Sequence, residues 1–522
     1  MHRPVVGELS TPDLAPRDVP WVLGTQLTTR SGPLAYASTG SRVLLIEALD
    51  FADRRPYHRQ KLTLLFAGMR HFRDRLRAEG YDVIYLQSQS FEDALVEFFA
   101  ANPHSRLVVM RSPSDGFERR LRAIVDAADG EIRFLENELF VSTRGAFESW
   151  VADRSEPLTH ETFYRWMRRQ TGILVDDGDP VGGEWNFDDR NREVPTSDWS
   201  SPPIPTHEYD ELTRETAAWV DEAFDAWGRG LPDTGPWPVT RRQARAHLQH
   251  VLETRLPDFG PYQDAMRADD WALSHTLLSG AINRGLLHPL EVIDAIEDAY
   301  HEREDVPIHS AEGAIRQLLG WREFVRHAYR RSMPDLVMAN RLTANRPLPD
   351  LYWTGETDMR CLAETVADVR ERGYAHHIQR LMVLANFATL WGVEPSALAE
   401  WFQATFVDAY HWVTVPNVIE MGGYGHGVFA TKPYVSSANY VAKMSDYCGE
   451  CVYDPEEDVG AGACPFNALY WDFLARNEGH LRSNHRMAPL YGHVDDRRDD
   501  GSLETIRDRV KQLRGSMNEG GI

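Results

Sequence analysis

The sequence predicts an α/β N-terminal domain built on a parallel sheet, followed by a larger all-α domain, and three observations lead there. The first ~150 residues alternate short apolar runs with amphipathic stretches, the pattern of strands that are each followed by a helix. From about 208 to 473 the apolar residues recur with helical spacing. Between these regions, residues 176–207 are rich in Gly, Pro, Asp, Trp and Ser and read as a long connection. A chain of 522 residues is also too long for one simple core.

Taken in order, apolar runs at 21–24, 43–47, 83–86, 107–110 and 132–135 are the predicted strands, with helices over 61–79 and 91–101 between them. Such a sheet is parallel, Rossmann-like and covered on both faces. Gly24 follows the first strand, where sheets of this kind open their ligand crevice. Prolines 257, 289, 307, 347 and 395 punctuate the helical region. The expected organisation is an α/β domain over 1–150, a linker over 151–225, a helical domain over 226–495 and a charged tail over 496–522 that frays at Gly520–Gly521. No internal repeat is present.

Composition narrows the setting. The formal charge is −23, and four residues among the 56 Lys+Arg are lysines: Lys61, Lys432, Lys443 and Lys511. An acidic surface almost free of lysine suits a high-salt cytoplasm and points to a halophilic source, against a plainer reading as arginine codon bias. No apolar run reaches the ~18–20 residues of a membrane span. The polar, proline-rich stretch 1–20 lacks the apolar core of a signal peptide. A cytoplasmic protein with no membrane and no obligate protein partner is expected. The charge argues against nucleic acid as a partner, but arginines cluster at 165–169, 241–245 and 326–331 and could line one basic groove. Composition by itself favours solvated helix faces for them.

The four cysteines are Cys361, Cys448, Cys451 and Cys464. Cys448-Gly-Glu-Cys451 lets two thiolates face one metal centre, and the other two must come from the fold. Zinc and iron–sulfur clusters both use four thiolates, so spacing leaves them level. Disulfides are not expected in a large protein without an export signal.

A helix is predicted over 375–390, where His377, Arg380 and Leu381 fall on one face. His376 and His377 are adjacent, so on that helix only one of them can line a given pocket. Upstream lie Trp321-Arg322-Glu323-Phe324 and His275-Thr276-Leu277-Leu278-Ser279, whose hydroxyls and amides suit a diphosphate. With these motifs in view, the chain resembles the photolyase/cryptochrome family. Trp321–Phe324 resembles its WREF signature, 275–279 its phosphate-binding segment, and 376–382 its flavin-contacting helix. The four cysteines, Lys432-Pro433-Tyr434 and Met444-Ser445-Asp446-Tyr447-Cys448 match the iron–sulfur bacterial cryptochrome/photolyase group. The resemblance spans about 21–491 and favours a [4Fe–4S] cluster over zinc.

The resemblance implies an antenna domain, a linker and an all-helical FAD-binding domain. Tyr262, His275, Thr276, Leu278, Ser279, Trp321 and Arg322 would contact FAD, with Arg380 and Asp408 as a charged pair beside its ring and the segment near Thr414 facing N5. A lumazine antenna, 6,7-dimethyl-8-ribityllumazine, would sit against Gly24, Gln26, Glu47, His58 and Lys61. Trp401 and Trp353 would relay electrons to FAD. The activity implied is light-driven repair of pyrimidine (6-4) photoproducts in UV-damaged DNA, the lesion being flipped from the duplex. His377 takes the proton-donor role because the matching position is histidine in (6-4) enzymes and asparagine in cyclobutane-dimer enzymes; His376 is its neighbour at the site. A light sensor without repair, a cyclobutane-dimer photolyase and a zinc-stapled nucleic-acid-binding module are the alternatives.

Overall fold

The computed structural model describes residues 5–519 except 10, 153, 155–157 and 428–429. The expected fraying at Gly520–Gly521 and the extreme N terminus lie outside the described residues.

Five strands form the N-terminal sheet: β1 (Asp18–Val22), β2 (Arg42–Ala48), β3 (Asp82–Ser88), β4 (Arg106–Met110) and β5 (Glu131–Leu135). All neighbours pair in parallel, in the order β3-β2-β1-β4-β5. The central strands β1, β2 and β4 are buried on both faces, which is why Val43–Ile46 and Leu107–Met110 read as unbroken apolar runs. Helices α1 (Arg59–Ala78), α2 (Phe91–Ala101) and α3 (Phe117–Ala127) cover the sheet. Trp21, Leu44 and Ile46 pack with α2 and α3 on one face, while Val43 and Leu45 join the core shared with α1 and the helical region on the other. The strand order reverses at β1, so the crevice at its C-terminal end opens beside Gly24. Gly24 is required there: a Cβ would meet Leu65 and Met69 of α1 at 2.9 Å.

Two segments are more structured than the sequence suggests. The linker expected over 151–225 opens with a helix, His160–Thr171, whose Phe163 shares a core with Phe147, Leu319 and Phe324, while the helix Glu211–Ala223 falls where helical spacing was expected. The expected tail is helical over Ser502–Glu519, with Leu503, Ile506, Val510 and Leu513 buried against the helix Pro465–Arg476. Its apolar stripe is thin and diluted by charges, so it reads as solvated in sequence. Four π-helical turns interrupt the helical region, at Val251–Arg255, Arg316–Arg322, Gln379–Ala385 and Pro416–Gly422. Such turns cluster at functional sites. Among the described residues no helix is long and apolar enough to cross a membrane.

Candidate active site

The loop before Ser279 is the first sign of a binding site. Leu273 (φ 42°) and Leu277 (φ 55°) both adopt left-handed backbone, a costly conformation for a branched side chain. Between them, Ser274 Oγ and His275 Nε2 are buried without a partner. Opposite, His376 is wholly buried and neither ring nitrogen is partnered. Gln263 Oε1 is a further orphan. An unmet buried polar group costs about 1–3 kcal/mol, so several within neighbouring segments point to a polar ligand that meets them.

The adjacent histidines overturn the helical-face expectation. The chain is extended through Ala375 and His376 and turns helical at His377, so the pair straddles the helix start. Both rings therefore reach His275: His376 stacks on it at 4.6 Å and His377 meets it edge-on at 5.3 Å. Burial, followed by the neighbouring His and Arg charges, holds His275 and His376 well below the usual imidazole pKa. They are neutral hydrogen-bonding groups near neutral pH. His377 differs, because its side chain is 49% exposed and its Nε2 lies 3.3 Å from Asp264 Oδ1.

One turn further, Arg380 forms a two-pronged pair with Asp408 at 3.0 and 3.1 Å, and Ser279 Oγ donates to Asp408 at 2.7 Å. Burial pushes the Asp408 carboxyl up, but Arg380, Ser279 and Lys61 outweigh it and hold it below the usual range. The Arg380 guanidinium lies over Phe406 and Tyr374. Phe406 leads to Trp401 at 5.7 Å, and Trp401 to the half-buried Trp353 at 6.4 Å, so the two expected relay residues are neighbours.

The remaining expected contacts are spread around this centre. Leu278 is buried in the core, and the Thr276 carbonyl accepts from His247. Tyr262 packs on Trp199, and the Trp321 indole donates to Asn417. Thr414 is buried in the short helix His411–Val415. Arg322 faces elsewhere: it lies over Phe140 and Trp412 and lines the interdomain cavity described next. Gln263, Asp264 and Ser274 were missed. They sit in irregular segments without periodicity, and the one available hint was their closeness in sequence to Tyr262 and His275.

The crevice above the sheet is a cavity of about 520 Å³ between the domains. Gly24, Gln26, Glu47 and Lys61 all line it. Gln26 is already engaged, donating to the Met110 carbonyl at 2.8 Å. Glu47 is saturated by Arg70, Tyr85 and Gln87, which makes it a structural anchor of the wall. His58 lies outside the cavity: it caps α1 through Gln60 N and reaches the Arg370 carbonyl. Lys61 is half-buried, with Nζ 2.6 Å from Gln403 O and 2.5 Å from Ala409 O. Burial pushes its ammonium down to about 7 against the pull of Asp408. It crosses from the sheet domain into the helical one, beside the Arg380–Asp408 pair.

The four cysteines converge on a small pocket walled by Met359, Val441, Tyr447, Tyr453 and Phe466. All four are free thiols. Burial first, then the other cysteines, pushes the Cys361 thiol well above its usual value. Among the described residues, the group of three or more His, Cys, Asp or Glu whose ligand atoms all lie within 4.8 Å of one another is His275, His376 and His377. No three cysteine sulfurs approach that closely. A tetrahedral zinc with ~2.3 Å bonds needs its sulfurs about 3.8 Å apart.

The arginine clusters do not line a common groove. Arg168 is buried on backbone carbonyls of Ile173, Leu174 and Trp185. Arg241 pairs with Glu291, Arg330 and Arg331 with Glu148, and Arg326 is buried over Phe140. The partners of Arg241, Arg330 and Arg331 are remote in sequence, so those runs looked uncompensated.

Comparison with known proteins gives the family. Residues 20–232 match the family described as deoxyribodipyrimidine photo-lyase-related protein. The chain is 42% identical over 483 residues to a (6-4) photolyase of Agrobacterium fabrum, covering 90% of this chain and 94% of that one. Its fold is similar to a bacterial class III photolyase from Agrobacterium tumefaciens (TM-score 0.57, 16% identity, 84% and 86% of the two chains). It is also similar to a cryptochrome of Synechocystis (TM-score 0.52, 14% identity, 80% and 83%).

Proposed function

The chain belongs to the photolyase/cryptochrome family, and from that premise we propose that it repairs pyrimidine (6-4) photoproducts in DNA under light. Its likeness to a (6-4) photolyase over nine-tenths of its length supports the lesion class. The observation that carries the reading is His377, half exposed at the mouth of a buried polar site, against His275 and within reach of Asp264.

The unpartnered atoms of Gln263, Ser274, His275 and His376 suit FAD, a ligand rich in donors and acceptors. When bound there, FAD would supply light-driven one-electron chemistry, held by Gln263, Ser274, His275 and His376. The chain's own part is to hold and protonate. Asp408 and Ser279 fix Arg380 so that its positive charge stays beside the site. Neutral His275 and His376 offer hydrogen bonds without adding charge. Repair of a (6-4) lesion also moves an oxygen between bases, so a proton donor must reach it; half-exposed His377, with Nε2 facing Asp264, is the candidate to give that proton through its other ring nitrogen. Trp401 and Trp353 suit electron supply from the surface.

Four convergent thiols suit a [4Fe–4S] cluster, as the resemblance of the cysteine set implies, which would tie Cys361 to the 448–464 segment. The interdomain cavity suits a lumazine antenna in size and lining. The deciding experiment is repair of defined (6-4) and cyclobutane-dimer oligonucleotides, illuminated and dark. Light-dependent reversal of the (6-4) substrate is expected; reversal of cyclobutane dimers alone, or of neither, rejects the reading.

A further inference from the structure

Behind the site, the helix carrying His377 and Arg380 ends at Trp391 and is capped by Gly392 (φ 90°). A second pocket of about 260 Å³ opens there, outside both the buried polar site and the interdomain cavity. Three arginines line it: Arg346 from the loop before the Leu351–Thr354 turn, Arg476 from the end of Pro465–Arg476, and Arg514 from the C-terminal helix. Asp472 is the acid that acts on all three: it pairs with Arg514 at 3.2 Å and pulls on Arg346 and Arg476 electrostatically. Arg476 donates to the Thr389 and Leu390 carbonyls, which fixes its guanidinium under Gly392. A Cβ at Gly392 would meet its Nη1 at 2.9 Å. Arg514 Nε is buried without a partner, and among the described residues no hydrogen bond or ion pair from the Arg346 side chain is seen. Burial, helped by the other two arginines, lowers Arg476 to about 10.

Three guanidiniums around one carboxylate leave about two positive charges uncompensated in a half-enclosed pocket, on a chain whose net charge is −23. Like charges held together at low dielectric repel, and an anion relieves this. Guanidiniums match tetrahedral oxyanions with paired N–H donors. Beyond the arginines, the walls mix Leu342, Val393, Leu398 and Phe473 with the polar Asn345 and Asn477, which leaves room for a small anion and a short organic body but none for a duplex. We propose that this pocket binds a small phosphorylated anion, inorganic phosphate or a phosphomonoester, and that the bound anion clamps the C-terminal helix to the end of the flavin-site helix.

The test uses full-length purified protein with FAD retained, and sodium phosphate titrated against sodium chloride at matched ionic strength. Saturable heat of binding with phosphate but not chloride is expected, together with a rise in melting temperature. Arg346→Met keeps much of the half-buried side chain's bulk and removes a guanidinium that no hydrogen bond or ion pair among the described residues engages, so it should fold and bind flavin normally yet bind phosphate about tenfold more weakly or worse. A phosphorylated sugar competing with phosphate would mark the organic ligand, and phosphate alone would mark the free ion. The proposal is overturned if the wild type shows no saturable phosphate binding, or if Arg346→Met binds it equally. It is overturned too if undamaged duplex DNA displaces phosphate and Arg346→Met weakens DNA binding, because the pocket is then a DNA contact.

Discussion

Replacing His377 by Asn separates proton donation from every other task at the site. The side chain is 49% exposed and its contact with Asp264 is long at 3.3 Å, so little folding energy rests on it. Partly exposed pairs of this kind contribute about 0.5 kcal/mol or less, and the melting temperature should move by no more than about 2 °C. The orphaned atoms of Gln263, Ser274, His275 and His376 are untouched, so His377→Asn should retain FAD and photoreduce it at close to the wild-type rate. General acid catalysis is worth about 10²- to 10⁴-fold, or roughly 2.7–5.5 kcal/mol of barrier, and that is the expected loss of light-driven (6-4) repair. The assay compares repair yield per absorbed photon on a (6-4) oligonucleotide with flavin photoreduction in the same sample. His376→Asn is the control: it alters a fully buried ring and should lower flavin retention itself. Normal repair by His377→Asn would refute the assignment, since no donor would then be missing.

Three further outcomes are expected. Changing Cys361, Cys448, Cys451 or Cys464 to Ala should each give insoluble or iron-free protein, and stoichiometric zinc without iron after anaerobic purification would defeat the cluster reading. Binding of lesion DNA should weaken only slowly with salt, because the arginine clusters are spent on internal carboxylates and carbonyls; a slope equivalent to about eight or more phosphate contacts, at ~0.9 each, would contradict this. Asp408→Asn strands the Arg380 cation and should destabilise the protein by about 3 kcal/mol, the low end for a buried pair because Arg380 is 24% exposed. Since the Asp408 carboxyl is held below its usual value, its contribution is complete above about pH 4 and fades as pH falls through the lowered value. Melting curves taken down the acid limb should therefore flatten in Asp408→Asn, and an unchanged limb would show that the pair does not stabilise the fold.

What was legible in the sequence followed from how each feature is built. Strands β1, β2 and β4 are buried on both faces and so wrote themselves as apolar runs. The cysteine quartet was legible because Cys448 and Cys451 are two residues apart in a C-x-x-C spacing and no cysteine beyond the four exists. The histidine pair misled because helical periodicity was applied across a helix start and into the π turn Gln379–Ala385. The C-terminal helix and the arginine pairings were hidden because their partners lie far away in sequence.

Lys61 shows why the relation between the two main cavities could not be read at all. Its ammonium leaves α1 of the sheet domain and ends on Gln403 and Ala409, some 340 residues later, where no spacing rule reaches. The same side chain lines the interdomain cavity and feels the charge of Asp408. Asn283, also in that cavity wall, donates to the Asp408 carbonyl. Lys61 and Asn283 thus tie the wall of the crevice to the Arg380–Asp408 pair. Such polar contacts depend on distance and angle in a way that apolar packing does not, so they fix the sheet domain against the helical one in a single arrangement.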